Sequence, residues 1–218
     1  MKNIRASWLN YIQESPQKPA GTRSFQDLLA WLDTTDYWSA PASTRFHSSF
    51  EGGLAYHSLK MAKILQKLTD LHQISWKCHF SPLLVSMLHD LCKVGCYKKE
   101  LKSRKVLNAD GCPIHDPFGK PVWENYIGYT FDNSDFPMGH GAKSVILASR
   151  HVELTPQEEM CIFWHMGVET DSKFEPSEFT NAITKDVAVL WTHVADRLAA
   201  LEEVKEAVSG KFEVASSL

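Results

Sequence analysis

Ser81-Pro-Leu-Leu-Val-Ser-Met-Leu-His-Asp-Leu-Cys-Lys-Val-Gly95 sets a histidine and an aspartate side by side in an otherwise apolar segment. Ser81 supplies a cap, Pro82 a first helical residue and Gly95 a stop after Lys93, so the stretch predicts a helix. Leu84, Val85, Leu88, Leu91 and Cys92 recur at helical spacing, which places the helix in a core and carries His89 and Asp90 inward with it. An ionised carboxylate there is costly unless a cation meets it, and no Lys or Arg is expected on the same helical face. A metal ion removes the conflict, because it wants a deprotonated carboxylate and a neutral imidazole at one point.

Further donors stand on other apolar helical faces. Gly52-Gly53 releases a helix with Leu54, His57, Met61, Ile64, Leu65 and Leu68 on one stripe, so His57 lies in the middle of a buried face. Residues 177–208 read as helix with a break near Thr184, and contain Asp196 in Thr192-His-Val-Ala-Asp-Arg-Leu-Ala-Ala200. A single core histidine is more often bonded to a backbone carbonyl than to a metal. Three converging helices change that balance. Their nitrogen and oxygen donors suit Mn, Fe, Co, Ni, Zn or Mg, and not copper(I) or an iron–sulfur cluster. His140 opens a helix between two glycines, where the dipole is expected to lower its proton affinity and leave it free to ligate. His165 closes the next helix, which Thr155-Pro-Gln-Glu158 caps and Gly167 ends. His193, one turn before Asp196, is expected to orient that carboxylate.

The 218 residues suit one domain, with a core over about 45–205, an N-terminal helical extension over 1–40 and a frayed tail over 209–218. Hydrophobic residues make up 44% and charged residues 22%, with a net charge of −3, so no global basic field draws the chain to nucleic acid or anionic lipid. No apolar run is long enough for a membrane span and no signal peptide is recognisable, which leads to the expectation of a cytoplasmic protein with no membrane partner. Five cysteines without a CxxC indicate reduced thiols rather than disulfides or a zinc knuckle.

Helices are expected from Lys2 to Ile12, ended by Ser15-Pro16 and Pro19-Ala20-Gly21, and after a Ser24-Phe-Gln-Asp27 capping box. Residues 96–137 are irregular. They begin with the cations Lys98, Lys99, Lys102, Arg104 and Lys105, by default a solvated face, and continue through turn residues. Val122-Trp123 and Tyr126 to Phe131 are candidates for a short hairpin in a lid or rim over the site. With strands confined to that loop, the expected fold class is all-α, a single helical bundle.

His57, then His89-Asp90, then Asp196 in its Ala-Asp-Arg-Leu setting resemble the H…HD…D signature of the HD-domain superfamily of metal-dependent phosphohydrolases. Gly52-Gly-Leu-Ala-Tyr-His-Ser58 resembles the family's GGL..HS opening. His89-Asp-Leu-Cys-Lys-Val-Gly95 resembles its HD.GK segment, with Cys92 in place of Gly. The likeness runs over about residues 45–201. It implies an all-helical fold, His57, His89, Asp90 and Asp196 as metal ligands, and Lys93 facing substrate phosphate. Pro137-Met-Gly-His-Gly-Ala-Lys-Ser144 and Phe163-Trp-His-Met-Gly167 are similar to the GH and H segments of binuclear HD proteins and of the HD domain in bacterial 3′-to-5′ exoribonucleases. In those proteins both histidines bind a second metal that shares the bridging aspartate, here Asp90. The chain departs from the cyclic-dinucleotide phosphodiesterases, since His165 is followed by Met166 rather than a second histidine and no GYP follows. His140 and His165 therefore have two readings, as ligands or as direct phosphate contacts, and the cofactor is one or two divalent ions.

The function this implies is hydrolysis of a nucleotide, a nucleoside monophosphate or a deoxynucleoside triphosphate, by metal-activated water. Asp90 and Lys93 then act at the reacting centre, and Lys93, His140, Arg45 and His47 are candidates to meet the phosphate. Trp123, Tyr126, Tyr129 and Phe131 offer stacking surfaces to a base. The alternative is a phosphodiesterase on cyclic nucleotides or single-stranded RNA ends with a binuclear site; the acidic net charge disfavours nucleic acid. More distant alternatives are a non-catalytic ligand-sensing HD module and a di-iron oxygenase.

Overall fold

The computed structural model describes residues 3–14, 25–108, 110–168 and 176–209. The Ser24 capping box, the breaks at Ser15-Pro16 and Pro19-Ala20-Gly21, and the tail beyond Ser209 lie outside these. The elements in order are α1 (Ile4–Glu14), α2 (Phe25–Leu32), α3 (Gly53–His72), α4 (Ser81–Leu88), a single 3-10 turn (Leu91–Lys93), β1 (Tyr97–Lys105), β2 (Trp123–Phe131), α5 (His140–Ser149), α6 (Pro156–Trp164), α7 (Pro176–Lys185) and α8 (Ala188–Val208).

The all-α expectation is corrected by the β1–β2 pair. Tyr97 to Lys105 runs antiparallel to Trp123 to Phe131, with Tyr97 opposite Phe131, Leu101 opposite Ile127 and Lys105 opposite Trp123. The class is mixed α and β, with helix predominating. The basic run that reads as a solvated irregular segment is itself a nine-residue strand. Its charged residues pair locally: Lys98 with Asp132, Lys99 with Glu51 and Arg104 with Glu124. These exposed pairs leave little unbalanced charge for a polyphosphate.

The helical body is organised on α4, in which every residue is buried. A helix apolar all round belongs inside a layer of other helices. Here α3, α5 and α6 pack on α4, while α8 packs on α3 and α6. Trp8 of α1 is fully buried and donates its indole N–H to the Ala55 carbonyl at 2.8 Å, which fastens α1 to α3. Each fully buried leucine of this core, such as Leu28, Leu54, Leu65 and Leu88, contributes roughly 1.5–3 kcal/mol. Polar ties set the relative heights of the helices. Ser81 Oγ donates to Glu158 Oε1 at 2.7 Å, and Glu158 also completes the capping box with Thr155, as the sequence of α6 predicts.

Two glycines govern how closely the site-bearing elements approach. A Cβ on Gly53 would stand 1.9 Å from the Ser48 carbonyl oxygen, so the start of α3 lies directly against the preceding loop. A Cβ on Gly141 would stand 2.0 Å from the Phe163 carbonyl oxygen, so α5 and α6 touch backbone to backbone.

Candidate metal centre

The Ser81 helix is shorter than its sequence predicts. It ends at Leu88, His89 is its C-cap, and Asp90 leaves the helical region at φ −102°, ψ 18° before the 3-10 turn. Ser81 is the first helical residue rather than the cap, and Phe80 holds the cap position. The break has a chemical consequence. Adjacent residues of a continuous helix point about 100° apart, whereas here His89 Nε2 and Asp90 Oδ2 come within 3.4 Å.

His89 Nδ1 lies 2.8 Å from the Ser86 carbonyl, and His165 Nδ1 lies 2.7 Å from the Ile162 carbonyl. A carbonyl only accepts, so both Nδ1 atoms carry the hydrogen, and in the neutral ring Nε2 is left as a lone pair. Both Nε2 atoms are buried without a hydrogen-bond partner. Both point at carboxylates, His89 to Asp90 and, at 3.8 Å, Asp196, and His165 to Asp90 at 3.6 Å. Acceptors facing acceptors in a buried nest are unfavourable until something positive lies between them. This donor set fits a divalent cation.

Two further imidazoles close the nest. His140 Nε2 is 2.7 Å from Asp90 Oδ1, and His57 Nε2 is 2.9 Å from Asp196 Oδ1. His57, His89 and Asp196 form one group of mutually close donor atoms, His89, Asp90 and His165 a second, and Asp90, Cys92 and His140 a third. All six residues predicted as ligands, from five separate stretches of chain, are thus brought to one place, and these buried clusters could hold a metal ion. The nest opens toward solvent at His140, whose side chain is 26% exposed, and at Asp196, 11% exposed.

The other expected residues are placed differently. Lys93 does face Asp90, at 2.6 Å from Oδ2, so a cation is present where none was expected; the 3-10 turn, rather than a helical face, brings it there. Its ammonium also donates to the Ala42 carbonyl at 2.8 Å, and it points to the carboxylate rather than outward. Arg45 is exposed, its guanidinium 5.6 Å from the Phe46 ring centre, and is not part of the nest. His47 lies behind His57, ring centres 4.8 Å apart, and its Nε2 has no partner. His193 binds the His165 carbonyl at 2.7 Å instead of orienting Asp196, and it packs against Gly167.

Glu203, which escapes the sequence reading, and Cys92, read there as an apolar position, complete the surroundings. Glu203 is buried on α8 seven residues after Asp196, two turns along the same face. Its Oε1 is 3.0 Å from His57 Nδ1, and its Oε2 accepts from Ser48 Oγ at 2.6 Å. Its spacing of seven residues from Asp196, which puts both acids on one helical stripe, was the available signal. A carboxylate behind a ligating imidazole fixes its tautomer and orientation, and loss of such a partner costs about 10–100-fold in metal affinity. Glu203→Ala is therefore expected to weaken metal binding by about that factor, with Glu203→Gln recovering part of the loss, as read by titration calorimetry.

The electrostatics of the metal-free nest follow from these contacts. Burial opposes the charged form of His57, but the hydrogen bonds its ring donates to Asp196 and Glu203 outweigh it and hold the ring up to about 10. Burial likewise opposes charge on His140, yet the Asp90 carboxylate raises it to about 9, the reverse of the helix-dipole expectation. Burial would raise Asp90 and Asp196, but the Lys93 charge and the hydrogen bond from His140 lower the former, and hydrogen bonding and charge from His57 lower the latter. His47 is pushed down to about 4 by burial, then by His57 and Lys93.

Folding thus raises the affinity of His57 for a proton above its ordinary 6.5. The stabilisation is complete below about pH 6.5 and is lost as pH rises toward 10. Asp196, held low, contributes above its ordinary 3.8 and loses its contribution as acid protonates it. Urea unfolding of chelator-treated protein is expected to show stability falling by a few kcal/mol between neutral pH and pH 10. Metal affinity should rise over the same range, about tenfold per pH unit for each proton displaced.

Comparison with models of known protein families, with curated proteins and with solved structures returns no match. No helix among the described residues is long and apolar enough to cross a membrane.

Proposed function

We propose that the chain is a metal-dependent phosphohydrolase of the HD type, acting on a nucleotide. The observation that carries this reading is the pair of partnerless imidazole Nε2 atoms of His89 and His165 aimed at the Asp90 carboxylate. A divalent ion bound there would activate a water and polarise a phosphoryl oxygen, so no protein nucleophile is required. His57, His89, Asp90 and Asp196 would hold one ion, and Asp90, His140 and His165 a second.

The chain's own residues supply the rest. Glu203 keeps the Nδ1 hydrogen on His57 and frees Nε2 to ligate. The Ser86 and Ile162 carbonyls do the same for His89 and His165. Lys93 partly neutralises Asp90, and it becomes a phosphate contact by exchanging the Ala42 carbonyl for a phosphate oxygen. His140, at the exposed edge of the nest, is placed to meet an incoming phosphate or to ligate. Nearby, Tyr97 donates to the same Ala42 carbonyl and lines a cleft of about 220 Å³ with Tyr129, Asp36, Glu51 and Lys99. Two phenol rings beside carboxylates offer a base both a stacking face and acceptors.

The second reading is phosphodiester cleavage, of a cyclic nucleotide or a single-stranded RNA end. It is favoured by the grouping of donors on both sides of Asp90, His57 and Asp196 on one and His140 and His165 on the other. Elemental analysis of purified protein, followed by assay of nucleoside monophosphates, deoxynucleoside triphosphates, cyclic nucleotides and single-stranded RNA oligomers with Mn, Co, Mg and Fe, decides between them. Phosphate release from a monoester or triphosphate supports the first reading, and ring opening or chain shortening the second. Absence of turnover with every metal-loaded form would contradict both. In the active assay Lys93→Ala is expected to keep the metal and lose roughly 10²–10³-fold in kcat.

A further inference from the structure

Among the described residues, the two strands between the metal-binding turn and α5 pair as strands only with each other. Along β1 the even positions Lys98, Glu100, Lys102 and Arg104 are all charged, and they share one face with Glu124 and Tyr126 of β2. The odd positions make the opposite face, where Leu101 faces Ile127 and Lys105 faces Trp123. Toward the body this face is closed by Tyr97 and Tyr129, but beyond them Leu101 is 66%, Ile127 60% and Trp123 57% exposed. A two-stranded ribbon is marginal in water on its own, and an open edge beside an apolar face is a site for another strand.

The two edges differ in charge. An antiparallel, two-fold pairing of β1 with β1 of a second copy, centred on Leu101, would set Lys98 against Arg104 twice and Glu100 against Lys102 twice, and would bring only Leu101 against an apolar partner. That edge offers a second copy mainly charged residues, three of them already held by Asp132, Glu51 and Glu124, and little apolar surface. The same operation on β2, centred on Ile127, sets Ile127 against Ile127, Trp123 against Phe131, Asn125 against Tyr129 and Glu124 against Thr130. No like charges meet among the paired residues, the Lys102 ammonium that holds the outer Tyr129 carbonyl at 2.6 Å gives way to an edge amide of the second copy, and the apolar and aromatic residues of the exposed face meet one another. We infer that the β2 edge binds the β2 edge of a second copy of this chain, joining two ribbons into a four-stranded antiparallel sheet with two-fold symmetry. The inference does not depend on the function of the metal centre.

Sedimentation velocity over a dilution series, with the full chain, tests it. The expected mass is twice 24.7 kDa, falling to 24.7 kDa in Ile127→Lys, which brings two cations face to face, and in Ile127→Pro, which removes an edge amide. Trp123→Lys should weaken the dimer in the same direction. Far-ultraviolet circular dichroism and metal content should stay those of the parent. The symmetry makes a sharper demand, since residue 127 must lie opposite itself. With the exposed Cys112 replaced by serine, Ile127→Cys should form an intermolecular disulfide on mild oxidation, and Cys112→Ser alone should not. A monomer at every concentration, whatever else the face binds, overturns the inference. So does a dimer that survives these substitutions or fails to form the 127–127 disulfide.

Discussion

The Asp90→Ala protein is expected to lose bound metal and to lose turnover by more than roughly 10³-fold, the largest functional effect of any single substitution in the nest. Asp90 is the one residue on which the others converge. Its Oδ1 lies 2.7 Å from His140 Nε2 and 3.6 Å from His165 Nε2, and its Oδ2 lies 2.6 Å from Lys93 and 3.4 Å from His89 Nε2. Removing it strands the Lys93 ammonium with only the Ala42 carbonyl, which should cost the metal-free chain about 3–5 kcal/mol as well. Asp90→Asn separates the two effects, because the amide keeps hydrogen-bonding partners but has no charge to offer a cation. Metal content by elemental analysis and unfolding in urea measure them independently. Full activity with retained metal in Asp90→Ala would refute the assignment.

Gly141→Ala is expected to produce the largest structural effect, roughly 3–5 kcal/mol of lost stability. The added carbon would stand 2.0 Å from the Phe163 carbonyl oxygen and 2.7 Å from its carbon, with no flexible side-chain end to yield, so α5 must move off α6. That displacement falls on the function too. His140 precedes Gly141 in α5 and His165 follows Phe163 by two residues, so moving the helices apart separates these imidazoles, whose ring centres are 5.4 Å apart. Thermal unfolding should show the stability loss, and calorimetric titration with Mn should show a weaker site even at temperatures where the variant is folded. An unchanged transition temperature would mean that the backbone contact is not as close as described.

The placement of His57, His89, Asp90 and Asp196 could be read in the sequence because each is polar on a helical stripe that is otherwise apolar. Burial of that stripe forces the group inward, and the structure buries all four. What the sequence hid is where regular geometry stops. The apolar run through Leu91 and Cys92 reads as uninterrupted helix, yet the chain turns at Asp90, and this turn delivers Lys93 to the carboxylate. Glu203 was hidden for a different reason. In a helix end crowded with Glu202, Glu203, Lys205 and Glu206 an acid looks solvated, and only the position of α3 makes it a buried partner of His57. The β1 strand was hidden by its charge. Its alternation, with Tyr97 and Leu101 on one side and only charged residues on the other, is that of a strand with one solvated face. Its partner lies beyond the turns of residues 106–122, too far along the chain for a local hairpin signal.

X-ray diffraction from manganese-loaded crystals, recorded near the absorption edge of the metal, is the most direct test of whether these side chains form an ion-binding centre. An anomalous peak is predicted between the Asp90 carboxylate and the Nε2 atoms of His89 and His165, with His57 and Asp196 or His140 completing the coordination. A peak confined to surface carboxylates, with His89 and His165 Nε2 bonded to protein groups instead, would contradict it.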